Sequence, residues 1–393
     1  MRRIDLRNVQ AANPHTIRDI NRQIVLNYVR EREPISRATI ARESALQRST
    51  ISEIVEELTG EGLVEEIGEG ESTGGRRPTL LRLRTVGAIA IGVNITPTYT
   101  TIASSDLAGV VVHQEAFPTD PVPERTLKRI IEIILKFAAQ SSIEGVGISI
   151  PGLVNPSSGN VIFVPYFKWR DLRIAETISQ ATGLPVTIDN DANAVALAEL
   201  WFGRPEVRDA RDFIFVLVAD GVGTGIIFDG QVYRGVRGAA GEFGHMIVGS
   251  NAPVPCSCGN DDCWEAFASE RAATARYKSL SGARRAPDFE TLIERSLSGE
   301  KEATAALTET ARYLGIGISN LIVGFSPEAV IVGGAITRAW PLIEKALTEK
   351  IERSVRRGLP SARILPSTLT RDPTLMGALS LVLASKFAGA AAA

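Results

Sequence analysis

Every cysteine of the 393-residue chain, Cys256, Cys258 and Cys263, falls in one Gly/Asn/Asp-rich loop that follows His245. One imidazole and three thiolates make a complete tetrahedral set for zinc, which binds such ligands without geometric demands from its d electrons. No coordination position is left open, so the chemistry predicted is structural rather than hydrolytic. The alternative, three free thiols beside a core histidine, fits poorly with the confinement of all three cysteines to one loop. An odd, clustered set also argues against a disulfide framework and for a reducing cytoplasm.

A second group of residues could read DNA. Gln47, Arg48, Ser49, Thr50 and Ser52 cluster at the start of a helical pattern, where side chains reach base edges or phosphates in a major groove. Downstream, Ser72-Thr73-Gly74-Gly75-Arg76-Arg77-Pro78 sets Arg76 and Arg77 among small residues, suited to a narrow and strongly negative minor groove. Three short helices alone would equally suit a small bundle, and an Arg-Arg pair alone a solvated surface. Helices followed by a hairpin with a basic tip predict a winged helix that binds double-stranded operator DNA.

The elements that must position these groups follow from periodicity. Ile17, Ile20, Ile24 and Tyr28 share one helical face. Pro34 breaks the pattern, Ser36 is placed to cap a short helix carrying Ile40 and Ala41, and Ala45-Leu46 forms the turn. Ile51, Ile54, Val55 and Leu58 then recur at i, i+3, i+4 and i+7. Residues 63–67 and 79–83 read as hairpin strands. Beyond residue 85, apolar strand-like runs at 88–93, 146–150, 186–188, 213–218 and 329–332 alternate with helical stretches such as 126–140, which implies layered α/β architecture.

Composition narrows the classes. The chain is 44% hydrophobic and 22% charged, with net charge -2, so it is neither disordered nor globally basic, and DNA-contacting arginines must act locally. No leader-like apolar run begins the sequence, and no stretch reaches the ~18 apolar residues of a membrane span. A cytoplasmic chain with no membrane partner is expected.

The motifs together resemble the ROK family (repressors, open reading frames and sugar kinases). The resemblance rests on Gly238-Ala239-Ala240-Gly241-Glu242-Phe243-Gly244-His245 with the cysteine loop, on Asp189-Asn190-Asp191-Ala192-Asn193-Ala194, on Ser149-Ile150-Pro151-Gly152, on Asp220-Gly221-Val222-Gly223-Thr224-Gly225 and on Val332-Gly333-Gly334-Ala335. It implies an N-terminal winged helix-turn-helix (α+β) over residues 14–84, then a two-lobed α/β domain of the actin/hexokinase (ribonuclease H-like) type over 85–393. The small lobe would span about 85–193 plus a C-terminal helix at about 373–388, and the large lobe, with its zinc loop, about 194–372. It further implies sugar contacts from Gly152, Asn190, Asp191, Glu242, His245 and Glu265, His245 using its second ring nitrogen for zinc. Carboxylates, amides and imidazole suit hydroxyls that both donate and accept. One of Asp189, Asn190 and Asp191 is also expected to cap a helix.

The family's kinases carry an Asp-x-Gly-Gly-Thr phosphate loop where this chain reads Asn94-Ile95-Thr96-Pro97-Thr98. Asn94 lacks the charge that favours magnesium, and Thr96 and Pro97 add bulk where backbone must approach phosphate. Phosphoryl transfer depends on such positioning, so no kinase activity is expected and Asp191 becomes a sugar acceptor only. The resulting expectation is a sugar-responsive repressor of carbohydrate-utilisation genes, a homodimer or homotetramer with structural Zn2+, released by a monosaccharide or sugar phosphate. The alternative is an active ATP-dependent sugar kinase with an accessory DNA-binding domain.

Overall fold

In the computed structural model, residues 14–70, 77–85, 87, 89–208, 210–355, 358, 360–369 and 372–387 are described. The chain forms two compact units: Met1–Ile89 with Ser105–Val112 and Leu383–Ala393, and Ala90–Ser104 with His113–Val382.

The first unit begins with α1 (Pro14–Arg32), β1 (Ile35–Ser36), α2 (Arg37–Ser44), α3 (Arg48–Gly60), β2 (Val64–Glu69) and β3 (Thr79–Leu83). The three strands form an antiparallel sheet ordered β1-β3-β2. Ser36 caps α2, its hydroxyl accepting the Thr39 N–H at 3.2 Å, and Ala45 ends that helix at φ 58°. The spacing on α3 places Ile51, Ile54, Val55 and Leu58 in the core as expected. On α1 the helix is where the pattern puts it, but the Ile17–Ile20 face is not the buried one. Ile17 and Ile20 remain 51% and 42% exposed, while Val25, Leu26 and Val29 are fully buried. A helix buries whichever face its neighbours cover, and on α1 two apolar stripes overlap, so the period alone does not choose between them.

The second unit holds β4 (Ala90–Ile95), β5 (Tyr99–Ser105), β6 (Val111–Pro118), α4 (Pro123–Ala138), β7 (Gly145–Ile150), β8 (Leu153–Asn155), β9 (Asn160–Val164), β10 (Trp169–Leu172), α5 (Ile174–Thr182), β11 (Val186–Asn190) and α6 (Asp191–Phe202). After α7 (Pro205–Arg208) come β12 (Phe213–Val218), β13 (Val222–Phe228), β14 (Gln231–Val232), α8 (Trp264–Ala268), α9 (Glu270–Ser281), α10 (Phe289–Leu297), α11 (Lys301–Phe325), β15 (Ala329–Gly333), α12 (Trp340–Ser354), β16 (Arg363–Pro366) and α13 (Pro373–Phe387).

These strands make two five-stranded sheets, ordered β11-β7-β4-β5-β6 and β14-β13-β12-β15-β16, and a small antiparallel sheet β10-β9-β8. Strands β11, β7 and β4 run parallel, as do β12, β15 and β16. Strands β4, β7, β12 and β15 are buried at every residue, which is why β12 and β15 read in sequence as unbroken apolar runs, while β4 and β7 each bury one polar residue, Asn94 and Ser149. Separate apolar cores form around each large sheet, and α6 leads from the end of β11 toward β12.

Candidate functional site

The end of β11 delivers three polar side chains to one point, each with a different task. Asp189 is buried and receives the Arg234 Nε–H at 2.8 Å. Asn190 is the N-cap of α6: its Oδ1 accepts the N–H groups of Ala192 and Asn193 at 2.9 and 3.3 Å, and its Nδ2 donates to the Gly152 carbonyl at 3.0 Å. The cap expected within this trio is therefore Asn190, whose oxygen is already committed. Asp191 opens the helix. Burial lifts its carboxyl to about 6 against the Ala192 N–H that holds it down, and the charge of Glu242 adds to the rise.

A short 3-10 turn, Glu242–His245, and the segment before α8 supply the metal candidates. The donor atoms of His245, Cys256, Cys258 and Cys263 all lie within 4.8 Å of one another. His245 Nδ1 is 3.2 Å from Cys256 Sγ, and the sulfurs of Cys258 and Cys263 are 3.7 Å apart. Zinc–sulfur bonds of ~2.3 Å in a tetrahedron put two sulfurs about 3.8 Å apart, so the set fits zinc. The second imidazole edge faces elsewhere: Nε2 lies 3.6 Å from Glu242 Oε2.

Glu265, in the first turn of α8, is locked by neighbours. Its Oε1 accepts the Ser257 N–H and hydroxyl at 2.9 and 2.6 Å and lies 3.6 Å from an Arg271 amino group. Burial works against its charge, but the Ser257 hydrogen bonds hold the carboxyl below the usual glutamate range. Glu242 moves the other way: burial raises it, His245 partly offsets that, and Glu265 adds to the rise.

All six residues singled out for sugar contact, Gly152, Asn190, Asp191, Glu242, His245 and Glu265, line one cavity of about 350 Å³. Tyr166, on the loop between β9 and β10, lines it too. Sequence reasoning missed Tyr166 because Val164-Pro165-Tyr166-Phe167 carries no pattern that distinguishes a ligand contact from packing.

At the phosphate-loop position, Asn94 is buried at the end of β4 with Oδ1 unpaired. The Thr96 hydroxyl closes the following turn, donating to the Tyr99 carbonyl at 2.8 Å and accepting its N–H at 3.1 Å. The kept glycines have packing reasons of their own. A Cβ on Gly225 would sit 2.4 Å from the Ala192 carbonyl oxygen, and one on Gly333 would sit 2.2 Å from the Phe215 ring. Their presence therefore says nothing about nucleotide.

Of the DNA-reading candidates, Gln47, Arg48 and Ser49 are exposed, while Thr50 and Ser52 are half-buried. The Ser52 hydroxyl donates to the Arg48 carbonyl at 3.0 Å. Arg77 is exposed at the base of the hairpin tip, and Arg76 lies outside the described residues.

Known proteins resemble this chain over most of its length. The xylose repressor of Bacillus subtilis (strain 168) is 33% identical over 374 residues, which cover 93% of this chain and 96% of that repressor. A solved ROK family transcriptional regulator, a homolog of the E. coli MLC protein, superposes with TM-score 0.77 at 29% identity, covering 95% of this chain and 97% of that one. A ROK family glucokinase from Streptomyces griseus, solved with glucose and AMPPNP, has TM-score 0.68 at 29% identity and covers 75% of this chain and 98% of its own. These likenesses identify the fold as a winged helix-turn-helix followed by the two-lobed α/β fold of the actin/hexokinase type. The ROK family model matches residues 90–385, and the chain belongs to the ROK family.

Proposed function

We propose that this chain is a sugar-responsive DNA-binding transcriptional repressor of carbohydrate-utilisation genes. The observation that carries the reading is convergence: Gly152 after β7, Asn190 and Asp191 at the β11–α6 junction, Glu242 and His245 on the 3-10 turn and Glu265 on α8 line one cavity, in a chain whose first described elements form a winged helix. Residues 14–84 serve as the DNA reader and 85–393 as the effector domain. Gln47, Arg48, Ser49, Thr50, Ser52, Arg76 and Arg77 are assigned to the operator. A homodimer or homotetramer presents paired readers to a pseudo-palindromic site. Sugar acts through its different affinities for the DNA-binding and released states.

Zinc held by His245, Cys256, Cys258 and Cys263 would pin the loop that carries Ser257 and hence the orientation of Glu265. Around it, this chain's own groups do the binding. Asp191 and Glu242 accept sugar hydroxyls, and the outer edge of His245 is left for another. The free N–H of Asn190 can donate while its oxygen caps α6.

The same relatives include kinases, so catalysis needs its own test. Asn94, a Thr96 hydroxyl spent on a turn and the N–H-less Pro97 argue against phosphoryl transfer. Selection of bound genomic fragments by the purified chain, with and without a panel of sugars, tests the repressor reading. Sugar-dependent release is expected. Sugar-dependent ATP consumption without sequence-selective DNA binding would replace this reading with that of a sugar kinase.

A further inference from the structure

We infer that the cysteine loop is also an oxidation site: hydrogen peroxide attacks Cys258, Cys263 then closes a disulfide with it, and the metal is released. The inference rests on the zinc reading above.

Access singles out Cys258. Its side chain is exposed, whereas Cys256 and Cys263 are only 5% and 0% exposed. The two buried sulfurs also have close neighbours. Cys256 Sγ lies 3.2 Å from both His245 Nδ1 and Glu265 Oε1, and Cys263 Sγ lies 3.4 Å from the His245 carbonyl oxygen. An oxidant arriving from solvent therefore meets Cys258 first.

Geometry names the second sulfur. Cys258 Sγ and Cys263 Sγ are 3.7 Å apart, and a disulfide needs them about 1.7 Å nearer. Between them run Gly259, Asn260, Asp261 and Asp262, and a Cβ placed on Gly259 would meet nothing within 4 Å. That open, flexible segment can take up the movement. Cys256 is the poorer partner. Only Ser257 separates it from Cys258, which makes a relaxed disulfide hard to reach. A turn also ties it down, its N–H donating to the Asn260 carbonyl at 2.9 Å and its carbonyl accepting the Gly259 N–H at 3.1 Å.

The electrons balance within the loop. The Cys258 thiolate attacks one peroxide oxygen, the O–O bond breaks and hydroxide leaves, giving a sulfenic acid. The Cys263 thiolate then attacks that sulfur, the S–S bond forms and a second hydroxide leaves. Two sulfurs have given up two electrons to one peroxide, and solvent protons turn both hydroxides into water. Bridging withdraws two of the four metal ligands, and His245 with Cys256 do not complete a tetrahedral site. The movement also reaches Ser257, whose N–H and hydroxyl hold Glu265 at 2.9 and 2.6 Å.

The test exposes the zinc-loaded, full-length chain to a graded molar excess of hydrogen peroxide and follows the metal with a chromogenic chelator. Release is expected to run at least about tenfold faster than without peroxide. Peptide mass spectrometry is expected to find Cys258 linked to Cys263 and Cys256 free to alkylate. In a parallel sample, dimedone is expected to tag Cys258 ahead of the other two. Dithiothreitol with added zinc is expected to restore the reduced, loaded chain. Zinc that stays bound at the highest dose overturns the inference and leaves the metal reading standing. A bridge or a dimedone tag on Cys256 overturns the assignment of the sulfurs. Absence of zinc from the untreated chain overturns the metal reading and this inference with it.

Discussion

His245 and Cys256 meet at 3.2 Å, Nδ1 to Sγ, while the opposite edge of the same imidazole looks toward Glu242 at 3.6 Å. One ring thus borders both the cysteine cluster and the cavity. Stripping metal with a chelator should therefore weaken sugar binding by tenfold or more as well as lowering the melting temperature. Elemental analysis should find one zinc per chain, and Cys258→Ser and Cys263→Ser should each reduce it. Metal-free protein that binds sugar normally would separate the two sites.

Asp191 gives a pH signature. Its carboxyl moves from an ordinary 3.8 to about 6 in the folded chain, so the folded state holds a proton that the unfolded state has released between those values. By linkage, this group favours folding most at low pH, and its contribution declines as pH rises through about 6. Asp191→Asn mimics the protonated form. It should melt higher than the natural chain at pH 7.5, the gap shrinking on acidification to pH 5, while losing sugar affinity at both. A gap that widens in acid would contradict the assignment.

Glycine substitutions distinguish packing from phosphate binding. Gly225→Ala forces a methyl group against the Ala192 carbonyl and Ala196, and Gly333→Ala forces one into Phe215. Overpacking of this kind costs about 1–3 kcal/mol, so both variants should melt several degrees lower with no nucleotide present. Unaltered melting would make phosphate binding the better reason for these glycines.

The reader helix and the hairpin tip should fail differently. Alanine at Gln47 or Arg48 should lower operator discrimination by about 1–3 kcal/mol for each base edge that is no longer read. Arg76→Ala with Arg77→Ala should weaken all DNA binding and flatten the salt dependence, by about 0.9 in slope for each phosphate that is no longer neutralised. Gel shifts across a salt series read both. An unchanged salt slope in the arginine pair would remove the wing from the interface.

How much of this was written in the sequence depends on how local each determinant is. The clustering of His245 with the three cysteines was legible because cysteine is rare here and its spacing is short. The α3 core positions followed from a clean helical period, and β12 from its uninterrupted apolar run. The cavity-lining residues became legible only through resemblance to a family, since nothing within Asp189-Asn190-Asp191 says which residue caps a helix and which lines a cavity.

Tertiary choices stayed hidden. Arg234 lies 45 positions from Asp189, its ion-pair partner. Tyr166 reaches the cavity because the small β10-β9-β8 sheet carries its loop there. The inward face of α1 was set by its neighbours rather than by its own pattern.

The plugging of the first turn of α6 by Asn190 and Asp191 has an evolutionary reach. Two adjacent codons set how much of the helix's positive end the cavity sees, while Glu242 and Glu265 keep its wall acidic whatever stands there. Exchanging both side chains for small ones would bare the amides of Ala192 and Asn193 and delete a negative charge in a single stroke. The helix cap can thus vary on its own, because neither residue contributes a donor atom to the His245, Cys256, Cys258 and Cys263 cluster.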